Sequence, residues 1–336
     1  MSSMIPEPAA DMGNGGPSLI TCLGELLIDF LPITEDDETV GFRMHAGGSM
    51  LNVAVAAARL DRPVELAGAV SDDMFGRFLR RHVERERVGT RWLVDVAAPT
   101  TLAFVATERG EPRFAFYGDG AADTRLLPGD LPEAMFLETA VLHVGSISLL
   151  RGTTPDAVLA ACARQRGHGL VSVDPNVRPD LVSDEGGYRA LLERLFGLAD
   201  VVKLSDADAA WLAPGVEPEQ LVRDILELGP ALVVVTRGAD GVVAAHRSSG
   251  GPAIHRLPAY QVQVTDTVGA GDTFSAGLVV RLVDRGATSH DAIRSQPAAD
   301  VEADLRFAAA AAAINCMRPG ADPPDRPTVL SFMSRS

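Results

Sequence analysis

From residue 140 onward, short apolar runs alternate with longer segments whose apolar residues recur at helical spacing. Runs at 141–144, 170–173, 201–204 and 232–235 predict strands. Segments at 155–166, 188–196, 206–212 and 218–228 predict helices. Such alternation predicts a mainly parallel sheet with helices on both faces. Upstream, the pattern predicts a strand over 19–23 carried on through 24–30, a helix over 51–60, a strand over 64–70 and a helix over 74–85. Then it changes. Apolar stretches at 101–107 and 113–117 flank Arg109-Gly110-Glu111-Pro112, which reads as a hairpin. A hairpin is foreign to a βαβ series, so it predicts an appended small sheet, with strands drawn from about 26–46 and 99–118. A second hairpin over 242–245 and 253–257, then helices over 271–285, 301–315 and 327–333, complete the pattern. The expected fold class is α/β behind a disordered tail at 1–17, and the length allows one large domain or two of ordinary size.

Composition narrows the partners. The formal net charge is −15 over 336 residues, with no basic footprint for nucleic acid. An anionic ligand would have to be held locally, by a helix N-terminus, backbone N–H groups or a divalent metal. Lys203 is the only lysine, which excludes a GxxxxGK[ST] phosphate loop. Cys22, Cys162 and Cys316 are isolated, so reduced thiols in a cytoplasmic protein are expected rather than zinc or disulfides. No signal peptide is visible at 1–17, and no apolar run is long enough for a membrane span. The run at 308–314 reads as a buried helix face. His143 on an apolar strand, Trp92 and Trp211 read as core residues.

The richest chemistry lies in Asp266-Thr267-Val268-Gly269-Ala270-Gly271-Asp272, a glycine-rich loop opening into an apolar-periodic helix. Glycines allow close backbone approach, and the first helical turn offers free N–H groups at the positive end of the dipole. Together these make an anion site, beside which Asp272 could accept a proton from an attacking hydroxyl. A capped helix whose Asp272 answers the dipole would look the same. A second cluster joins Gly47, Gly48 and Asn52 with Asp29 upstream. It offers donors and acceptors of the kind sugar hydroxyls need, or else is a tight strand-to-helix turn. A third, Thr236-Arg237-Gly238-Ala239-Asp240-Gly241, follows the strand at 232–235, at the strand end where open sheets bind ligands, or is an ordinary β-turn.

Together the three clusters resemble the PfkB/ribokinase-like carbohydrate kinases over about residues 19–320. Residues 266–272 match the family's D-T-x-G-A-G-D signature, and Gly47-Gly48 with Asn52 resembles its N-terminal one. The resemblance implies a ribokinase-like fold in one domain over 18–336: a Rossmann-like, mainly parallel sheet flanked by helices, with a small β-sheet lid. It implies transfer of the ATP γ-phosphoryl group to a sugar hydroxyl with Mg²⁺. Asp272 would be the base, and the N–H groups of Gly269, Ala270 and Gly271 the anion hole. Asp29, Gly47, Gly48 and Asn52 would bind the sugar, and Ser205, Thr236, Gly238, Gly241, Gly271 and Asn315 the nucleotide. Residues 203–208 align with the family's N-x-x-E segment. Ser205 replaces Asn there and Asp208 replaces Glu, so Asp208 would act on the metal through water. Asp266 and Val268 are the matching backbone positions for a monovalent cation, K⁺.

The segment Gly24 to Asp29, Asp174-Pro175-Asn176-Val177-Arg178, and Pro99 through Phe104 to Val105 resemble the fructokinase branch, which adds Phe104 and Arg178 as substrate contacts. A sugar acid needs a cationic side chain for its carboxylate; the sugar-acid kinases of the family tend to place an Arg directly after a lid Tyr, so Gly118 after Tyr117 argues against one, while Arg178 argues the other way. Fructose or a related ketose is therefore expected. The alternatives are a 2-keto-3-deoxygluconate kinase, a ribokinase, or a nucleoside kinase stacking a base on Phe104, Phe114, Phe116 or Tyr117. A silent sugar-binding regulator would not need an intact Asp272 loop. A nicotinamide dehydrogenase lacks its GxGxxG after the first strand. Exposed lid strands predict a homodimer through the lid.

Overall fold

The computed structural model describes residues 17–35, 38–108, 111–248 and 250–335, and side chains in all of these except 105–108 and 111–114. The expected tail at 1–17, apart from residue 17, lies outside the described residues, as do the centre of the first hairpin turn and the Phe114 side chain. Thirteen strands are described: β1 Leu19–Leu23, β2 Leu27–Glu35, β3 Glu38–Gly47, β4 Val64–Ser71, β5 Gly89–Val96, β6 Leu102–Glu108, β7 Glu111–Tyr117, β8 Thr139–Gly145, β9 Leu170–Asp174, β10 Val201–Ser205, β11 Leu232–Thr236, β12 Val242–Ser248 and β13 Gly251–Leu257.

Nine of them form one sheet in the order β13-β12-β11-β10-β9-β8-β1-β4-β5. Pairing is parallel from β5 to β11 and antiparallel for β12 and β13, the late hairpin. The central strands are mostly apolar and almost continuously buried because helices cover both faces. One apolar core joins helices Ser49–Arg59, Met74–Arg85, Ala270–Asp284 and Ala298–Cys316 to one face. The other core sets Thr154–Gln165, Glu185–Leu198 and Pro218–Glu227 on the opposite face. The order runs one way from β1 to β4 and the other way from β8 to β11. A crevice therefore opens between the carboxyl ends of β1 and β8, the position where such sheets bind ligands.

The remaining four strands form the small sheet, in the order β3-β2-β6-β7. The expected continuation of the first strand through 24–30 does not occur. A Cβ at Gly24 would meet the Ser148 and Met50 side chains, and the chain turns there to enter β2 in the other sheet. Three elements carry no clear periodicity and were not anticipated: edge strand β5 and the short helices Glu133–Glu138 and His290–Arg294. Among the described residues no helix is long and apolar enough to cross a membrane. The apolar run at 308–314 lies inside helix Ala298–Cys316. His143 is a buried core residue, its Nδ1 3.0 Å from Ser172 Oγ.

Candidate active site

The loop before helix Ala270–Asp284 is locked by its neighbours. Asp266 accepts from Val268 N at 3.0 Å and from Gly320 N at 2.8 Å. Asn315 Nδ2 donates to the Val268 carbonyl at 2.8 Å. Gly269 takes a left-handed φ of 73°, and a Cβ there would meet Ala321 at 2.6 Å, so glycine is required. Ala270 N donates to the Thr267 carbonyl at 3.2 Å. Of the three amides expected to face an anion, Gly269 and Gly271 therefore remain without a protein acceptor among the described residues, and Ala270 does not.

Asp272, in the first turn of the helix, is 7% exposed. Its Oδ1 accepts from Ser49 Oγ at 2.6 Å and its Oδ2 from Asn52 Nδ2 at 2.8 Å. Burial pushes its carboxyl up; the two hydrogen bonds pull it down, Asp174 pushes it up and Lys203 pulls it down, leaving it above the usual range. Beneath the loop, Lys203 is buried, with Nζ 3.0 Å from Asp174 Oδ2, which also accepts from Ser275 Oγ at 2.9 Å. Burial alone would lower the Lys203 ammonium; the charges of Asp174 and Asp208 outweigh it and raise it. A Cβ on Gly271 would lie 3.0 Å from Nζ, so the backbone there passes close over the cation.

Helix Ser49–Arg59 has no side-chain cap at Gly48. Instead Glu25 accepts from Ser49 N at 2.9 Å, a cap reaching across from the end of β1. Gly48, at φ 107°, carries its backbone against the Glu25 carbonyl, where a Cβ would come to 2.7 Å. Burial drives the Glu25 carboxyl up to about 7, against the opposing pull of its bonds to Ser148 and Ser49. Gly47 packs against the Asp29 carboxylate. Burial, and then Asp272, push Asp29 up to about 6, while Arg178 pulls it down.

A polar cavity of about 600 Å³ gathers Asp29, Asn52, Arg178, Ser205, Gly269 and Asp272. A largely apolar cleft of about 300 Å³ includes Gly241, Val242, Tyr260, Phe274, Ala312 and Cys316. The two share Thr236, Gly238, Thr267 and Gly271, so the anion loop is their common wall.

Four expectations change. Phe104 stacks on Phe30 with centroids 4.6 Å apart and meets Phe42 and Tyr117 edge-on. That is the face of the small sheet away from the cavity; the paired residues Asp29, Ala103 and Phe116 face the other way, and Asp29 and Phe116 line the cavity. Asp208 is buried, and its oxygens accept from Val177 N and from Ser205 N and Oγ, which keeps it off both cavities; Asp206 lines the polar one instead. Asn315 is fully buried against the Val268 carbonyl and lines neither cavity. Ala270 N is the fourth, as described above. Glu25, Ser49, Lys203, Asp174 and Asp206 escaped the sequence reading. Two signals were available: a lone lysine at the end of an apolar strand, and an acid inside an apolar run.

Residues 17–328 match the profile of the pfkB family carbohydrate kinases. A fructokinase of Rhizobium leguminosarum bv. trifolii is 34% identical over 264 residues, covering 79% of each chain. In three dimensions the chain resembles a fructokinase of Xylella fastidiosa solved with bound ATP. The TM-score is 0.86 at 31% identity, over 95% of this chain and 99% of that one. It also resembles a Vibrio cholerae fructokinase solved with fructose, ADP and calcium, with a TM-score of 0.80 at 30% identity over 94% of this chain and 98% of that one. A double mutant of the latter was solved with fructose, ADP and potassium.

Proposed function

This chain belongs to the pfkB family of carbohydrate kinases, and from that premise we propose that it phosphorylates fructose at the expense of ATP. The observation that carries the reading is Asp272, hydrogen-bonded by Ser49 and Asn52 in the polar cavity, beside the loop shared with the nucleotide-sized cleft. A sugar hydroxyl in the polar cavity gives its proton to Asp272 as its oxygen bonds the γ-phosphorus. The bond from that phosphorus to the β–γ bridging oxygen breaks, and ADP leaves carrying the electron pair. Charge on the moving phosphoryl group is met by the Gly269 and Gly271 amides, the helix dipole and Lys203 beneath them. Asp29, Asn52 and Arg178 hold the sugar, under a lid formed by the small sheet. Gly47 and Gly48 give the close approach.

The cleft receives adenosine, with Thr236, Gly238 and Gly241 along its wall and Ser205 toward the phosphates. No trio of His, Cys, Asp or Glu side chains suited to a metal occurs among the described residues. Mg²⁺ would arrive with the nucleotide phosphates, with Asp206 on the cavity wall to hold it, and would neutralise phosphate charge. Asp208 serves by fixing Ser205 and Val177. A K⁺ ion at the Asp266 and Val268 backbone is part of the reading, supported by the potassium in the Vibrio cholerae neighbour. Asn315 serves that loop. We also propose a cytoplasmic enzyme, in keeping with three free cysteines, and a homodimer through the outer lid face. There Val40, Phe42 and Tyr117 are 56%, 43% and 65% exposed.

An ADP-release assay with MgATP and fructose, ribose, 2-keto-3-deoxygluconate or adenosine tests the reading. Fructose is expected to give the highest kcat/KM. Preference for the sugar acid would transfer the role of Arg178 to a carboxylate. Silence on every sugar with ATP still bound would end the kinase reading.

A further inference from the structure

Ser49 is buried and stands at the centre of a polar group whose other members, Glu25, Ser148 and Asn176, the reaction above does not use. Its Oγ lies 2.6 Å from Asp272 Oδ1 and 3.2 Å from Asn176 Nδ2, and its backbone N–H donates to Glu25 Oε1 at 2.9 Å. The other Glu25 oxygen accepts from Ser148 Oγ at 2.8 Å. Glu25 follows β1, Ser148 follows β8 and Asn176 follows β9, so three strand ends at the crevice converge on one serine.

The donors and acceptors allow one arrangement. Arg178 Nη1, which can only donate, lies 2.6 Å from Asn176 Oδ1 and fixes the amide. Asn176 Nδ2, also only a donor, must then give its proton to Ser49 Oγ. The single Ser49 hydroxyl hydrogen is thereby directed at Asp272. Asn176 takes a left-handed φ of 42°, a region that asparagine enters more readily than other non-glycine residues.

Resting on the reading of Asp272 as base, we propose that Ser49 is a positioning residue. Its hydroxyl, directed by Asn176 and anchored through Glu25, holds the Asp272 carboxylate in the orientation that receives the sugar proton. The other charged or titratable groups around Asp272 are Asp174 on β9, Lys203 on β10, Asp29 on β2 and Cys22 on β1, with Arg178 acting on Asp29. Against these fixed neighbours, the Ser49 donor favours the ionised form, the one that can act as a base.

Ser49→Ala and Ser49→Thr test this in two ways. In the free protein, the Asp272 carboxyl carbon is followed by ¹³C NMR and assigned by its absence in Asp272→Asn. Its titration is expected to move to higher pH in Ser49→Ala and to return in Ser49→Thr. In turnover, the acid limb of kcat/KM moves the same way. kcat falls about ten- to a hundredfold, as for a lost hydrogen bond to a charged group, while KM for ATP is unchanged. An Asp272 titration unmoved in Ser49→Ala, or moved but not restored by threonine, overturns the proposal. The NMR arm needs no turnover. Absence of activity in the wild type would defeat the kinase reading, and the titration would still decide Ser49.

Discussion

Replacing Asp272 by asparagine removes the proposed base and leaves most of its surroundings in place. The carboxamide is the same size, and its Oδ1 can take the Asn52 Nδ2 hydrogen bond that Oδ2 holds at 2.8 Å. Its Nδ2 then faces Ser49 Oγ, which already accepts from Asn176, so the Ser49 hydroxyl hydrogen loses its acceptor. Burial disfavours the native charge, so neutralising it offsets part of the hydrogen-bond loss, and the melting temperature should move by only a few degrees, about 1 kcal/mol or less. The anion hole and Lys203 are untouched, so ATP should bind as before. What disappears is proton removal from the sugar, worth about 10²–10⁴-fold in kcat. At about 1.4 kcal/mol per decade, that is a barrier rise of roughly 3–5 kcal/mol. Steady-state ADP release at saturating fructose reads kcat, and calorimetric titration reads ATP affinity. Turnover within about tenfold of the wild type, in a variant that melts normally and binds ATP, would refute the role of Asp272 as base.

Gly241→Ala should destabilise the fold by about 1–3 kcal/mol and raise KM for ATP, read by urea melts and initial rates, because its φ is 85° and a Cβ would run into the Leu257 carbonyl. His143 and His246 are buried, and burial holds His143 down near 3 and His246 below its ordinary 6.5. Their folded values lie under the unfolded one. Their contribution is therefore complete above about pH 6.5 and is lost as the pH falls, and His143→Phe should flatten urea-measured stability between pH 6 and 4. Glu25 acts in the opposite sense: raised from 4.5 to about 7, it costs stability progressively as the pH rises through that window, and Glu25→Gln should remove the slope. Tyr117→Arg on the outer lid face should give a monomer in sedimentation if the lid is the dimer contact, with the fold intact.

Where local pattern and chemistry coincide, the sequence was readable. The loop at 266–272 opens a helix as its glycines and following apolar residues predict, and the hairpin at 101–117 falls in the separate small sheet. What escaped depends on partners distant in the chain. Whether Phe104 or its neighbours face the cavity is a matter of strand parity, set by the pairing of Ala103 with Asp29 and Phe116. Asp208 has the right chemistry for metal work, but its short side chain reaches back to cap its own helix at Ser205. Glu25 caps a helix that begins 24 residues later, a role with no local spacing to reveal it.

Lys203 is the only lysine of the chain, and its side chain is 5% exposed, closed beneath the loop at 266–272. The surface therefore carries no side-chain amine at all. Acylating dyes, aldehyde crosslinkers and amine-coupled supports find no lysine on it to react with. Any such reagent that does modify Lys203 must enter through the cavity, so a bound nucleotide would shield it. A lysine-specific protease has a single cleavage site in the whole chain, inside β10, and can cut there only once the sheet has opened.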